Sequence, residues 1–309
     1  MTNVKKLGLT ALAGSLVATS AYAGALDVTG TAKVTYASLD ESEVTGNPWS
    51  MSQGIGFAGS GDLDIGTLSY TYSSTNMAFS SSNLKLDMGD TGTLSFANGA
   101  SLTGMQAYYD KMPTAGEQVW DDLDGQANGV ATMSTTNTLG YSNTFAGIGV
   151  SLAYNKSAGA ATDGSSKSFA LTSADMIDGA EIGWAHADVA GSTDNNGTDS
   201  DTVYVTYTTG GVTVGGQLTK VDKAAVNTDT DRQHLAVSIA VNENLSVSLG
   251  RSNVEFENST KDDQESVGLA FSYTMGSMTI AGFQNSEDNS GGTQGTDDSV
   301  TELSVAFAF

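Results

Sequence analysis

Bulky apolar side chains occupy every second position along most of this chain after residue 24. Clear stretches lie at 148–154, 235–241 and 267–273, where the intervening positions are small or polar. Successive side chains of a β-strand point to opposite faces, so a period of two predicts strands with one bulky and one small face. No long helical pattern appears outside residues 100–130. The hydrophobic pattern therefore predicts an all-β fold.

The alternation divides the chain into sixteen candidate strands separated by turn-rich segments. The strands are predicted at 25–38, 48–60, 62–75, 82–88, 91–97, 136–145, 147–156, 166–173, 178–188, 199–209, 211–221, 230–241, 243–256, 263–274, 277–286 and 297–309. The last of them, TELSVAFAF, places Leu303, Val305, Phe307 and Phe309 on one face and Glu302 and Ser304 on the other. In a closed barrel its edge is expected to pair with the first strand.

The connections between these strands alternate in length. Tight turns are predicted near 61–62, 89–92, 145–147, 174–179, 210–211, 242–244 and 275–277. Longer polar segments lie at 39–47, 76–81, 98–135, 157–165, 189–198, 222–229, 257–262 and 287–296. Short turns at one rim and long loops at the other are typical of an antiparallel up-and-down transmembrane barrel, whose bulky faces contact lipid. A soluble Greek-key sandwich offers no reason for this regularity.

The first residues have the order of a secretory signal peptide. Lys5 and Lys6 precede an apolar stretch at 7–18, and a small-x-small cleavage pattern follows at 21–23. We therefore expect a signal peptide at 1–23 that is cleaved after Ala23, and a single barrel domain at 24–309. Removing those two lysines leaves ten basic and 35 acidic residues, which is a net charge of −25.

This acidity excludes some partners and leaves the membrane prediction intact. A chain so negative repels phosphate, so a nucleic-acid partner is not expected. It contains no cysteine, and its mean hydropathy is −0.14. Since only half of each barrel strand faces lipid, an unremarkable mean hydropathy agrees with a transmembrane barrel.

The chain resembles the general bacterial porins, of the alphaproteobacterial type. The resemblance lies in the signal peptide, the sixteen amphipathic strands, the long third loop and the segments SSNLKLDMGDTGTLSFAN at 81–98 and YYDKMPTAGEQVWDDLDG at 108–125. It implies a homotrimeric channel of the outer membrane whose third loop, 98–135, folds into the barrel and constricts it. It also implies that Phe309 matches the family's terminal assembly signal, which the barrel-assembly machinery reads.

The same resemblance places acidic groups of the third loop opposite basic groups of the wall. The acidic candidates are Asp110, Glu117, Asp121, Asp122 and Asp124. Strand alternation puts Lys33, Lys85 and Arg232 on the luminal face, and these are the candidate wall cations. Arg251 shares the outward face of Leu249 and is expected to face lipid or lie at the rim.

The expected function is passive diffusion of small hydrophilic solutes and ions, with weak cation selectivity, because carboxylates in a pore attract cations. The only histidines, His186 and His234, lie in no catalytic or metal-ligating pattern, so neither an enzyme nor a metal site is expected. Calcium could bind the acidic segments at 121–125 and 193–201. Acidic outer loops could also share divalent cations with lipopolysaccharide.

Three alternatives remain open from the residues. A secreted, calcium-dependent adhesin would also be acidic and free of cysteine, but it should show a fixed internal repeat. A barrel serving as a structural anchor would need a lumen filled by bulky side chains, whereas these luminal residues are small. A sugar-specific channel would need a ladder of aromatic residues along the pore. That alternative stays open because the third loop contains Tyr108, Tyr109 and Trp120.

Overall fold

The computed structural model describes residues 26–39, 46–99, 103–131, 137–156, 164–174, 176–191 and 197–309. These residues form sixteen antiparallel strands in a closed barrel, as predicted. The strands are β1 (Asp27–Leu39), β2 (Trp49–Leu63), β3 (Gly66–Thr75), β4 (Ala78–Asp87), β5 (Thr93–Asn98), β6 (Thr138–Phe145), β7 (Ile148–Lys156), β8 (Ser165–Ser173), β9 (Ala180–Val189), β10 (Thr198–Thr209), β11 (Val212–Lys223), β12 (Thr230–Ala240), β13 (Leu245–Phe256), β14 (Gln264–Met275), β15 (Met278–Asp288) and β16 (Asp298–Ala308).

Each strand pairs with its neighbours in sequence, and β16 pairs with β1 to close the barrel. The seam continues past β16, because Gly30 and Phe309 exchange two backbone hydrogen bonds. Closure leaves no unpaired strand edge, which is what a sheet needs in a lipid environment. In the part of the chain that the structure describes, no helix is long and apolar enough to span a membrane.

The bulky face of the strands points outward and is exposed. Leu235, Leu249 and Leu269 are 57–65% exposed on adjacent strands. A soluble sandwich would bury such a face, so its exposure favours contact with lipid. Charged outward residues lie towards the strand ends that the longer loops join. There they form the ion pairs Lys167–Asp188, Lys220–Asp231 and Arg251–Glu265, and His186 Nδ1 lies 3.2 Å from Asp201 Oδ1.

Two connections differ from the sequence prediction. The tight turn expected near 61–62 lies at 64–65, between β2 and β3, and the other difference changes the kind of connection. The segment 76–81 was expected to be a longer loop, but β3 and β4 are joined by a two-residue turn at Asn76 and Met77. Both residues have positive φ, 51° and 65°, which is the backbone of a tight hairpin turn. The serines that the sequence analysis assigned to a loop belong to β4. The hydroxyl of Ser81 on β4 forms a 2.7 Å hydrogen bond with that of Ser73 on β3.

The largest buried cluster lies inside the barrel. The connection between β5 and β6 runs from 99 to 137, and its described residues 103–131 fold into the lumen. A short 3₁₀ turn, Gly104–Tyr108, begins this segment. Its side chains, including Met105, Tyr108 and Trp120, pack against small residues of β8 and β9 such as Ala170 and Ala185. The loop and one side of the wall thus share a hydrophobic core.

Candidate pore constriction

The third loop is fastened to the wall strand by strand. Residues 104–129 form a side-chain hydrogen bond or ion pair with every strand from β7 to β16. The wall partners, in strand order, are Ser151, Ser168, Glu181, Ser200, Gln217, Arg232, Ser248, Gln264, Asn285 and Asp298. No hydrogen bond joins the described loop residues 104–131 to β1, β2, β3 or β4. The loop therefore covers one side of the lumen and leaves the other side to water.

The acidic tip of the loop is held through backbone carbonyls. The side-chain amide of Asn285 donates to the carbonyls of Gln118, at 2.9 Å, and Asp121, at 3.0 Å. Its register partner is Gly268 on β14. A Cβ at Gly268 would collide with the Asn285 Oδ1 atom and press on Val119 at 3.2 Å. Gly268 is therefore needed for the loop to lie this close to the wall.

Four of the five candidate acids come together at this tip. Asp121 interacts electrostatically with Asp110, Glu117 and Asp122, and Glu117 interacts with Asp110 and Asp122. The pKa of Asp121 is raised from 3.8 to about 6, chiefly by burial and in part by the carboxylates of Glu117, Asp110 and Asp122, while the Gln118 N–H, at 2.7 Å from Asp121 Oδ2, opposes the shift. Burial also raises the pKa values of Asp110 and Glu117. The four carboxylates therefore form a concentrated negative patch.

Asp124 lies apart from this patch. Its backbone N–H donates to Asp298 Oδ2 at 2.7 Å, on the neighbouring wall. The next residue, Gly125, lies so close to the buried Glu287 that a Cβ there would collide with the Glu287 carboxylate. Asp124 thus lies where the loop is attached to β15 and β16, and it takes part in that attachment through its backbone N–H.

Lys33 faces the acidic patch from the seam of the barrel. Its Nζ lies 2.8 Å from Glu302 Oε1 on β16, and the two side chains are 35% and 14% exposed. The Lys33 charge also reaches Glu117, where it lowers a pKa that burial has raised. The passage therefore runs between the loop carboxylates and an ion pair on β1 and β16.

Lys85 lies on the uncovered side of the lumen. It helps to line a cavity of about 330 Å³ together with Asn83, Asp87 and the hydroxyls of Ser69 and Ser95. Its side chain is exposed, and no described residue forms an ion pair with it. Lys85 is thus available to solutes in the polar part of the pore.

Arg232 requires a correction. Its side chain points inward, as the strand alternation predicts, but it is 6% exposed and does not line the open pore. Its guanidinium donates to the Ala127 carbonyl at 2.6 Å and to Gln126 Oε1 at 3.1 Å. The loop returns along the wall at this height and covers the arginine. Arg232 therefore holds the returning segment of the loop instead of presenting charge to solutes.

Several residues of this site were not singled out in the sequence. Glu302 and Asn285 lie on inward faces of their strands. The strand alternation that identifies the luminal cations also identifies these two residues as luminal when it is applied to acids and amides. Lys111 Nζ of the loop lies 2.7 Å from Glu181 Oε1 of β9, and the same oxygen accepts a hydrogen bond from the Tyr204 hydroxyl. No sequence pattern links residues 70 positions apart, so this contact required the fold.

The loop aromatics do not form a ladder along the pore. Tyr108 is 1% exposed and Trp120 is 4% exposed. The Tyr108 hydroxyl donates to the Leu171 carbonyl at 2.6 Å, and the Trp120 ring packs edge-on against His234. Because these two rings are buried against the wall, they offer no stacking surface to a passing sugar, and the half-buried Tyr109 by itself does not make a ladder.

The remaining sequence predictions concern calcium binding and the cleavage of the signal peptide. No group of three or more metal-ligating side chains occurs among the residues for which the structure gives positions. Calcium binding by the acidic segments stays a prediction, and part of 193–201 lies outside the described residues, as does the cleavage site at Ala23. Phe309 is 79% exposed, with its ring lying over Gly30 at the seam.

Comparison with known proteins gives one family match and many structural matches. The family model described as Gram-negative porin matches residues 8–293. An anion-selective porin from Comamonas acidovorans superposes with a TM-score of 0.68 at 16% identity, covering 92% of this chain and 99% of that one. A variant of the Rh. blastica porin gives a TM-score of 0.65 at 15% identity, with coverage of 92% and 100%.

A loop-deletion variant of OmpT, an outer membrane protein of Vibrio cholerae, gives a TM-score of 0.70 at 14% identity, covering 92% of this chain and 99% of that one. No curated protein sequence matches the chain. At these identities the solved structures establish a shared fold, whereas the family assignment rests on the sequence model.

Proposed function

Because the chain belongs to the Gram-negative porin family, whose members are diffusion channels of the outer membrane, we propose that it is a passive, weakly cation-selective pore for small hydrophilic solutes and ions. The family consists of channels and not of enzymes. The Comamonas relative is described as anion-selective, so the shared barrel does not determine which ions pass. Selectivity must therefore be argued from the charges of this chain.

The observation that carries the proposal is the patch of four loop carboxylates facing one lysine that is already paired. Fixed negative charges in a narrow aqueous passage raise the local concentration of cations and repel anions. Lys33 is balanced by Glu302, Arg232 is buried, and Lys85 lies on the uncovered side of the lumen, where Asp87 lines the same cavity, so none of the three offsets the patch strongly. Burial weakens the patch in turn, because it raises the pKa values of three of its members. These opposing effects favour weak cation selectivity.

Single-channel recording in planar bilayers tests the proposal. The purified barrel should give ohmic steps, and a KCl gradient should produce a reversal potential of the sign that indicates preference for K⁺. A reversal potential favouring Cl⁻ would refute the selectivity, and the absence of conductance would refute the channel.

The assembly is also part of the proposal. The family resemblance supports a homotrimer inserted by the barrel-assembly machinery, and the acidic loops support contact with lipopolysaccharide through divalent cations. Electrophoresis of the membrane fraction before and after boiling tests the oligomer. A folded trimer should migrate as a compact high-mass species that collapses after boiling to the monomer mass, which is the 31.6 kDa of the whole chain less the signal peptide at 1–23. An unchanged position would contradict the trimer.

A further inference from the structure

We propose that Glu302 determines the ion selectivity of the pore by holding Lys33 away from the acidic patch of the third loop. The inference rests on the proposed function, since it identifies the residue that keeps the passage negative. Glu302 was not among the sequence candidates, although it lies on the luminal face of the last strand.

The geometry at the seam makes Lys33 and Glu302 a unit. β1 and β16 pair so that Lys33 lies opposite Ala306, Thr35 opposite Ser304 and Ala37 opposite Glu302. The ion pair therefore runs diagonally across the Thr35–Ser304 row, and both residues of that row are only 7% exposed. Small neighbours such as Ser304 and Ala306 leave the long lysine side chain room to extend along the wall. The Nζ–Oε1 distance of 2.8 Å is that of a charge-assisted hydrogen bond.

Glu117 is the competing partner for Lys33. It lies on the loop side of the passage, close enough for both Lys33 and Glu302 to affect its protonation. Among the described residues Lys33 forms its ion pair with Glu302 and none with Glu117, although its charge reaches the Glu117 carboxyl. A lysine released from Glu302 would be attracted towards Glu117 and would place a cation over the passage. Glu302 thus keeps the loop carboxylates unpaired and the opening clear.

This arrangement makes two linked predictions for Glu302→Gln. Cation preference should fall, because Lys33 then neutralises part of the patch, and unit conductance should fall, because the lysine side chain extends into the passage. Replacing Lys33 in the same barrel, as Lys33→Gln with Glu302→Gln, should restore both quantities. A residue that merely stabilised the seam would not be rescued by losing its partner.

The experiment compares wild type, E302Q, the double variant K33Q/E302Q and a matched control, E265Q. Glu265 also pairs with a cation, Arg251, at 2.9 Å, but on the outward face of the barrel. Unit conductance and the reversal potential in a KCl gradient are recorded for each. We expect E302Q to lower the K⁺/Cl⁻ permeability ratio by about twofold or more, while E265Q leaves it unchanged. The double variant should return to wild-type values.

Two results would overturn the inference. One is an E302Q channel with the selectivity and conductance of wild type and E265Q. The other is a double variant that stays as altered as E302Q, which would assign Glu302 a structural role at the seam. Wild-type preference for Cl⁻ would instead refute the proposed function, because the effect of Glu302 is judged by the change between variants. Thermal unfolding on gels shows that each barrel is folded before it is recorded.

Discussion

Asp121 shows how the surroundings of one side chain set the charge of the passage. Burial against the wall and three neighbouring carboxylates disfavour its ionised form, whereas the Gln118 N–H stabilises it. Sequence could place Asp121 in the third loop, but all five acids there looked equivalent. The distinction arises because Asn285 holds the backbone at Gln118 and Asp121 against β15.

The raised pKa of Asp121 predicts a pH-dependent selectivity. With a pKa of about 6, the carboxyl is mostly ionised at pH 7 and mostly protonated at pH 5. The patch therefore loses a negative charge as the pH falls, and the K⁺/Cl⁻ permeability ratio should decrease over this range. Reversal potentials recorded from pH 8 to pH 5 measure the change.

Two variants separate Asp121 from its neighbours in this measurement. Asp121→Asn should remove most of the step between pH 7 and pH 5. Asp124→Asn is the matched control, because Asp124 lies outside the patch and contacts Asp298 through its backbone. A step that persists in Asp121→Asn would assign the titration to another group.

Gly30 provides a second prediction for a single residue. The Phe309 ring lies against Gly30 where a Cβ would be placed, and the two residues exchange backbone hydrogen bonds at 2.6 and 2.9 Å. Gly30→Val should displace the ring and lower the temperature at which the barrel unfolds on gels. Ala32→Val, on the same outward face of β1, is the control and should have little effect. Equal stability of the two variants would contradict the packing role of Gly30.

The third loop, taken as an element, behaves as an internal layer of the wall. Its position after the fifth strand and its length could be predicted from the sequence, because a connection this long is unusual in a compact domain. Its path could not, since it depends on polar wall residues such as Gln217 and Gln264 that strand patterns treat as interchangeable. The tight turn at Asn76 and Met77 was missed for a similar reason, because serines and threonines pair in strands as readily as they form loops.

Variants of Arg232 distinguish its two candidate roles, which are to hold the third loop and to act as a cation of the pore wall. If it only holds the loop, Arg232→Gln should raise current noise, since the Ala127 carbonyl loses its donor, and an unpaired buried carbonyl costs about 1–3 kcal/mol. Arg232→Lys should behave similarly, because an ammonium lacks the planar fork of the guanidinium. Selectivity should remain near the wild-type value. A large loss of anion permeability in Arg232→Gln would instead restore Arg232 as a pore cation.

Asn285 tests the attachment of the acidic tip. Asn285→Ala removes both hydrogen bonds to the loop, so the Gln118–Asp121 segment should become more mobile and the channel should fluctuate between conductance levels. Asn253→Ala, on the outward face of β13, is the matched control. Single-channel traces that are as quiet as those of the control would show that other contacts are sufficient to hold the tip.

At the scale of the whole molecule, the barrel fold could be predicted from the alternation of apolar and polar residues, whereas the ion selectivity could not. Sixteen alternating segments with short and long connections define a barrel even when several strand boundaries are wrong by a few residues. The sign and strength of its field depend on which charges remain unpaired, and that is decided by contacts such as Lys33–Glu302. A formal charge of −23 therefore says little about the passage until these pairs are known.

The whole-molecule charge predicts a dependence on salt. The Debye length shrinks from about 10 Å at 0.1 M to about 3 Å at 1 M, so the patch should act across the passage only in dilute salt. The K⁺/Cl⁻ permeability ratio should therefore be higher at 0.1 M than at 1 M. Flux of an uncharged solute, measured by liposome swelling, should not change. A ratio independent of salt would show that pore size and not charge governs ion passage.

The attachment of the third loop to every strand from β7 to β16 makes the water column eccentric. Luminal positions on β8 to β15 behave as a protein interior, so enlarging them should disturb folding before it narrows the channel. Luminal positions on β2 to β4 border water more directly and should accept many polar substitutions. A redesign of the solute range would therefore begin at Ser69, Asn83 and Lys85, where the barrel can change its cross-section without losing its core.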